Sequence, residues 1–184
     1  MTIEAELAEL RRELEYVKDR WAILDCIMRQ SRGHDRHDLD LMASVYHPEG
    51  VDEHRPVVKS GAEYGEYANN AHTSIFIDHL HNITTHNCEI DGGVAHAESY
   101  VIGTMRVKDR KTVVVIGGRY LDRLEKRGGE WKIALRRCTI EWSMNGDTSA
   151  LEKGGFAGFV KGTWDQSDAS YARPMNSDSP VERW

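Results

Sequence analysis

Several side chains in this sequence could move protons or hold charge. Histidines gather at His79, His81 and His86. On a strand, residues two apart face the same side, so His79 and His81 share a face and His86 takes the other unless a bulge intervenes. Such a pair reads either as part of a metal ligand set, with His54 as a third member, or as one catalytic imidazole beside a solvated one. No tight metal-ligand spacing accompanies it, so no metal is expected. Asp35 follows Gly33, where a helix should end, and by itself fits a cap or turn carboxylate. Arg136 and Arg137 lie between Ile133–Ala134–Leu135 and Cys138–Thr139–Ile140. Strand alternation sends one of them inward, where a guanidinium needs a carboxylate partner or a substrate anion. At a bulge, both would reach solvent. A last set joins polar tips to ring bodies: Tyr46, His54, Tyr64, Tyr67, Tyr100, Tyr120 and Trp142. Together they suit a cavity for an aromatic or polycyclic ligand, although each alone is equally a core residue.

Other chemistries leave no trace in the sequence. It holds no phosphate-binding glycine loop, no dinucleotide fingerprint after a first strand, no GxSxG and no HExxH. This favours chemistry by side chains alone, with no cofactor. The net charge of −6 argues against nucleic acid, which asks for a basic face. No stretch approaches the ~20 apolar residues of a membrane span. The charged N-terminus lacks the apolar centre of a secretory signal. Cys26, Cys88 and Cys138 are odd in number and widely spaced, unlike a disulfide framework. A cytoplasmic protein is the simplest expectation.

The elements that must position these residues are legible in outline. The chain has 184 residues, one domain's worth, and 40% of them are hydrophobic, enough for a core. Ile3, Leu7, Leu10, Leu14, Val17, Trp21, Leu24 and Met28 alternate spacings of four and three, a heptad seam on a helix over 3–32 that Gly33 ends. The seam packs on its own domain or a neighbouring subunit, or it forms an intersubunit coiled coil. A second helix opens at Asp38 or His37 and stops at Pro48 and Gly50. A short strand covers Val51–His54. A third helix opens at Ser60, with Glu63 completing a capping box, and runs on to about Asp78. Four long strands come next: Leu80–Asp91, Val94–Val107, Lys111–Glu125 and Glu130–Ser143. Their tight polar turns make an antiparallel meander. Gly117–Gly118 reads as a kink that bends the sheet. Residues 146–184 form a tail, after a domain spanning 1–145, that either wraps the domain or a neighbour or is partly disordered.

At this point the sequence resembles a known family. Arg32–Asp40 (RGHDRHDLD), Tyr46–Gly50 (YHPEG), Gly129–Ile133 (GEWKI) and Trp164–Tyr171 (WDQSDASY) are similar to the SnoaL-like branch of the nuclear transport factor 2-like superfamily. The resemblance implies an α+β fold: a cone-shaped barrel with three N-terminal helices packed in a curved, mainly antiparallel sheet. The superfamily hosts enzymes and non-enzymes, so fold alone does not give function.

Within it, the resemblance is to lyases that use an Asp–His pair: scytalone dehydratase, hexachlorocyclohexane dehydrochlorinase and bile-acid dehydratases. Asp35 matches the family's aspartate at the end of the first helix. His81 matches the catalytic histidine, since Glu89 follows eight residues later in the same way, and Arg136 matches an active-site arginine counted from Trp131. The pattern also departs. Scytalone dehydratase has tyrosines at His34 and His54, and its second catalytic histidine falls where this chain has Val115–Ile116–Gly117. Gln30 stands where bile-acid dehydratases carry a tyrosine.

The implied function is a cofactor-independent elimination on a small aromatic or polycyclic substrate, with Asp35, His81 and Arg136 catalytic. The ring set lines the cavity, with His34, His54, Tyr46, Tyr64, Tyr100, Tyr120 and Trp142 as substrate contacts. A lyase releasing formaldehyde from a lignin-derived diarylpropane is an alternative, as is a non-catalytic hydrophobic-ligand or assembly subunit. The resemblance further implies a homo-oligomer, a trimer rather than a dimer.

Overall fold

The computed structural model describes residues 2–54 and 56–184. Its elements are α1 (Ile3–Asp35), α2 (Leu39–Ser44), β1 (Tyr46–His54), β2 (Val57–Ser60), α3 (Gly61–Ile75), β3 (Phe76–Asp91), β4 (Val94–Val107), β5 (Thr112–Arg127), β6 (Glu130–Asp147) and α4 (Ser149–Glu152). A 3₁₀ turn follows at Ala169–Tyr171. The six strands form one sheet in the order β2-β1-β6-β5-β4-β3. β3 to β6 are the antiparallel meander, and β1 returns parallel to β6. The sheet is curved, mixed and unclosed. Helices pack against it, which gives the cone-like α+β architecture.

α1 carries two apolar faces, and only one is used inside the domain. Ile23, Cys26, Ile27 and Gln30 recur at helical spacing and are fully buried or nearly so. Ile23, Cys26 and Ile27 pack with Val45, Ala95, Tyr120, Leu124, Trp131 and Ile133 into the main core. Asp19 fixes the docking point by accepting from Trp131 Nε1 at 2.8 Å and from Lys126 Nζ at 2.7 Å. The heptad seam instead faces outward: Ile3, Leu10, Val17 and Trp21 are each at least 60% exposed. This excludes the reading in which the seam packs on its own domain.

Gly33 does not end α1. A Cβ there would lie 2.8 Å from Met42 Cγ, so the glycine is needed for the close approach of α2. The helix continues to Asp35 and breaks at His37, whose φ is +49°. Those extra residues place His34 and Asp35 in the last turn, facing inward. α2 is shorter than expected and stops at Ser44. Pro48 falls inside β1, at the irregular pairing between Tyr46 and Val51, where a missing N–H is tolerated. The Ser60 cap forms as expected: Ser60 Oγ donates to Glu63 Oε2 at 2.8 Å and accepts from the Glu63 N–H at 3.4 Å. α3 passes into β3 without a loop, so β3 begins at Phe76.

Two further register shifts bear on the site. The β5–β6 register shifts between Gly117 and Gly118. A Cβ on Gly117 would lie 2.0 Å from the Trp142 ring, and one on Gly118 would lie 1.9 Å from the Thr139 carbonyl. In β3 the register shifts between Ile83 and His86. The bulge turns His86 onto the same inward side as His79 and His81, and its Nδ1 meets buried Ser99 Oγ at 2.8 Å.

The tail after β6 lies on its own domain. Arg36 donates to the Thr163 carbonyl at 3.1 Å, and Tyr171 Oη donates to Asp38 at 3.1 Å. The Trp164 ring covers His37 and His79.

Candidate active site

Asp35 and His81 meet because a helix end faces a strand edge. β3 is the last strand of the sheet, so its outer backbone groups have no strand partner. The Asp35 carboxylate takes that place and accepts the His81 N–H at 3.1 and 2.9 Å on its two oxygens. The same carboxylate lies 2.6 Å from His81 Nδ1. A carboxylate only accepts, so Nδ1 carries the proton and Nε2 is left with the lone pair. Both side chains are close to nine-tenths buried.

His81 opens on a cavity of about 120 Å³. His34, His54, Tyr64, His72 and Tyr120 supply its polar wall, and Val101, Met105, Ile116 and Ile140 its apolar wall. A larger hollow of about 630 Å³ is lined by the tail alone and holds no histidine. A third hollow of about 260 Å³ lies on the other side of Asp35 and His79, under Trp164 and Trp184.

The cavity's groups are tuned by burial. His34 is stacked on both His72 and His81, with ring centroids 4.8 and 4.6 Å apart. Burial, and then the neighbouring imidazoles, hold its pKa well below the usual histidine value. The same causes push His79 far down and His72 down to about 4. His54 goes the other way. Burial alone would lower it, but its hydrogen bond and charge pairing with Asp52 raise it to about 9. Burial drives the Tyr64 and Tyr120 phenols up, so both stay neutral donors. The result is a neutral imidazole wall beside His81, faced by a cationic His54.

The remaining candidates lie elsewhere. Arg136 is the inward arginine, but it does not line the cavity. Its guanidinium is fully buried, donating to both Asp122 oxygens at 2.7 and 2.8 Å and to Gln30 Oε1 at 2.8 Å. It also stacks 3.9 Å from the Tyr120 ring centroid. Its charge is thus spent on the core, behind the cavity wall. Arg137 is the outward one and pairs with Glu53. Tyr46 is buried beneath the cavity and donates to Asp52. Tyr100 points away on the outer face, 44% exposed, and Trp142 lies 48% exposed across Gly117. His54 does not join His79 and His81; it stacks on Tyr64 instead. His72 was missed, because helical spacing on α3 gave no sign that it would face β3.

The SnoaL-like domain matches residues 15–137. The chain belongs to the SnoaL-like family. No protein of curated function matches its sequence significantly.

Solved structures share the fold. Hexachlorocyclohexane dehydrochlorinase LinA-type3 from Novosphingobium barchaimii has a TM-score of 0.67 and 19% identity, covering 72% of this chain and 93% of that one. A protein from Novosphingobium aromaticivorans, provisionally assigned as a scytalone dehydratase, has a TM-score of 0.63 and 17% identity, covering 72% and 90%. Rv3472 of Mycobacterium tuberculosis, of unknown function, has a TM-score of 0.58 and 25% identity, covering 69% and 74%. These likenesses concern the fold. Among the described residues, no helix is long and apolar enough to cross a membrane.

Proposed function

We propose that this chain is a lyase that eliminates a small leaving group from an aromatic or polycyclic substrate, using Asp35 and His81 and no cofactor. One observation carries the reading: a single carboxylate grips His81 by both its backbone N–H and its Nδ1, which leaves Nε2 free on a ring that lines the cavity. His81 Nε2 takes a proton from a substrate carbon. The C–H electron pair forms a double bond, and the neighbouring bond to oxygen or halogen breaks with its electrons on the leaving group. Asp35 fixes the tautomer and stabilises the imidazolium that forms. The cationic His54 and the Tyr64 hydroxyl, both on the wall, stabilise the departing anion. Arg136 has no direct part, because its donors are engaged by Asp122 and Gln30.

The test is turnover on a panel of small aromatic and alicyclic alcohols and halides, followed by release of water or halide. Wild-type turnover together with loss in folded His81→Ala supports the proposal. A panel turned over equally by folded His81→Ala removes it.

We further propose that the outward seam of α1 joins copies of the chain, with a trimer as the assembly. The seam is apolar, regular over successive heptads and flanked by charge, the pattern of a coiled-coil contact.

A further inference from the structure

Beside the dyad stands a feature that proton abstraction does not need. His34, His79 and His81 each offer a ring nitrogen, and these three atoms lie within 4.8 Å of one another. His34 is 3% exposed, and its Nε2 is buried with no hydrogen-bond partner. Leaving a buried polar nitrogen unpaired costs about 1–3 kcal/mol. We infer that His34, His79 and His81 form a binding site for one divalent first-row transition ion, such as Zn²⁺ or Co²⁺.

The hydrogen bonds behind the three rings suit that role. In metal sites, a ligating histidine almost always hands its other N–H to a carboxylate or a backbone carbonyl. His81 Nδ1 does so with Asp35 at 2.6 Å. His79 Nε2 does so with the His34 carbonyl at 2.9 Å. A carbonyl only accepts, so His79 Nε2 carries the proton and Nδ1 holds the lone pair. His72 Nδ1 lies 3.3 Å from that lone pair and donates into it when no ion is bound. Two of the three rings are therefore fixed in orientation and tautomer, and the third has an idle nitrogen.

Tetrahedral Zn–N bonds of about 2.0–2.1 Å bring ligand nitrogens to about 3.3 Å apart, so the rings must draw inward, and the His34 ring must tilt out of its stack on His81 for both lone pairs to meet one ion. Three imidazoles leave the fourth tetrahedral position free for water or another ligand. Imidazole donors favour zinc, copper, nickel and iron over magnesium or calcium. An ion there takes the same His81 lone pair that the proposed elimination uses, so the two compete.

The test uses the full chain, purified without a polyhistidine tag, stripped with chelator and titrated with CoCl₂. The expected result is one equivalent bound, with the visible bands of low-coordinate cobalt. Affinity should fall more than about 100-fold in His34→Ala, and about 10–100-fold in Asp35→Asn through the outer carboxylate. Exposed His96→Ala serves as the control and should bind as wild type. Circular dichroism confirms that each variant is folded. Should His34→Ala fail to fold, Asp35→Asn decides. Absence of the bands in wild type, or unchanged affinity in a folded His34→Ala or Asp35→Asn, overturns the site. The spectrum needs no substrate, so that outcome leaves the elimination reading standing.

Discussion

Replacing Asp122 by Asn tests whether Arg136 is a structural cation. In the native chain both side chains are fully buried, and the guanidinium makes two parallel hydrogen bonds to the carboxylate. A third bond goes to Gln30, and the Tyr120 ring lies against the same group. Asn keeps the shape but removes the charge, which leaves a buried cation without its counterion. Breaking a buried pair in this way costs about 3–5 kcal/mol. That is a large share of the roughly 5–15 kcal/mol that holds a domain together. With a urea m-value of about 2 kcal/mol/M, the unfolding midpoint should fall by about 2 M, read by tryptophan fluorescence at one fixed protein concentration. The double variant Asp122→Leu with Arg136→Met removes both charges and should recover most of the loss. It should also keep turnover, since Arg136 does not reach the cavity. A loss below about 1 kcal/mol in Asp122→Asn would refute this account. So would full stability of the double variant with turnover abolished, which would return Arg136 to the chemistry.

Further predictions follow from other parts of the fold. His54 has a raised pKa, so its contribution to stability is complete below about pH 6.5 and fades as pH rises through about 9. Urea titrations should lose at most about 3 kcal/mol across that window, and His54→Gln should abolish the slope. Gly118→Ala should cost about 1–3 kcal/mol by overpacking against the Thr139 carbonyl, measured by the same titration. The pair Leu10→Glu and Leu14→Glu places charge in the outward seam of α1. Light scattering should show monomers, with the circular dichroism of the folded domain retained. An unchanged oligomer would exclude the seam as the contact.

The sequence was most readable where a pattern had one physical solution. The Ser60–Glu63 cap, the Asp91–Gly93 and Arg127–Gly129 turns and the bend at Gly117–Gly118 all follow from local chemistry. The face of α1 was harder. The eye is drawn to Leu7, Leu10 and Leu14, but the buried stripe passes through Gln30, Ser31, His34 and Asp35, whose polarity hides it. Gly33 misled for a related reason: a close helix approach and a helix stop ask for the same residue. Pairing Asp35 with His81 needed the family resemblance, because nothing in the spacing says that a helix end meets the edge of β3. The fates of Arg136 and His72 depended on Asp122 and on α3, partners distant in sequence. The β3 bulge that turns His86 inward likewise leaves no mark in the residue types around it.

The central claim is that Asp35 makes His81 a base. The most direct measurement is kcat/KM of Asp35→Asn against wild type, on whichever panel substrate the wild type turns over, with folding and oligomeric state matched. A fall of about 10²–10⁴-fold is predicted, the usual worth of a positioned general base. A folded Asp35→Asn within threefold of wild type would contradict the account.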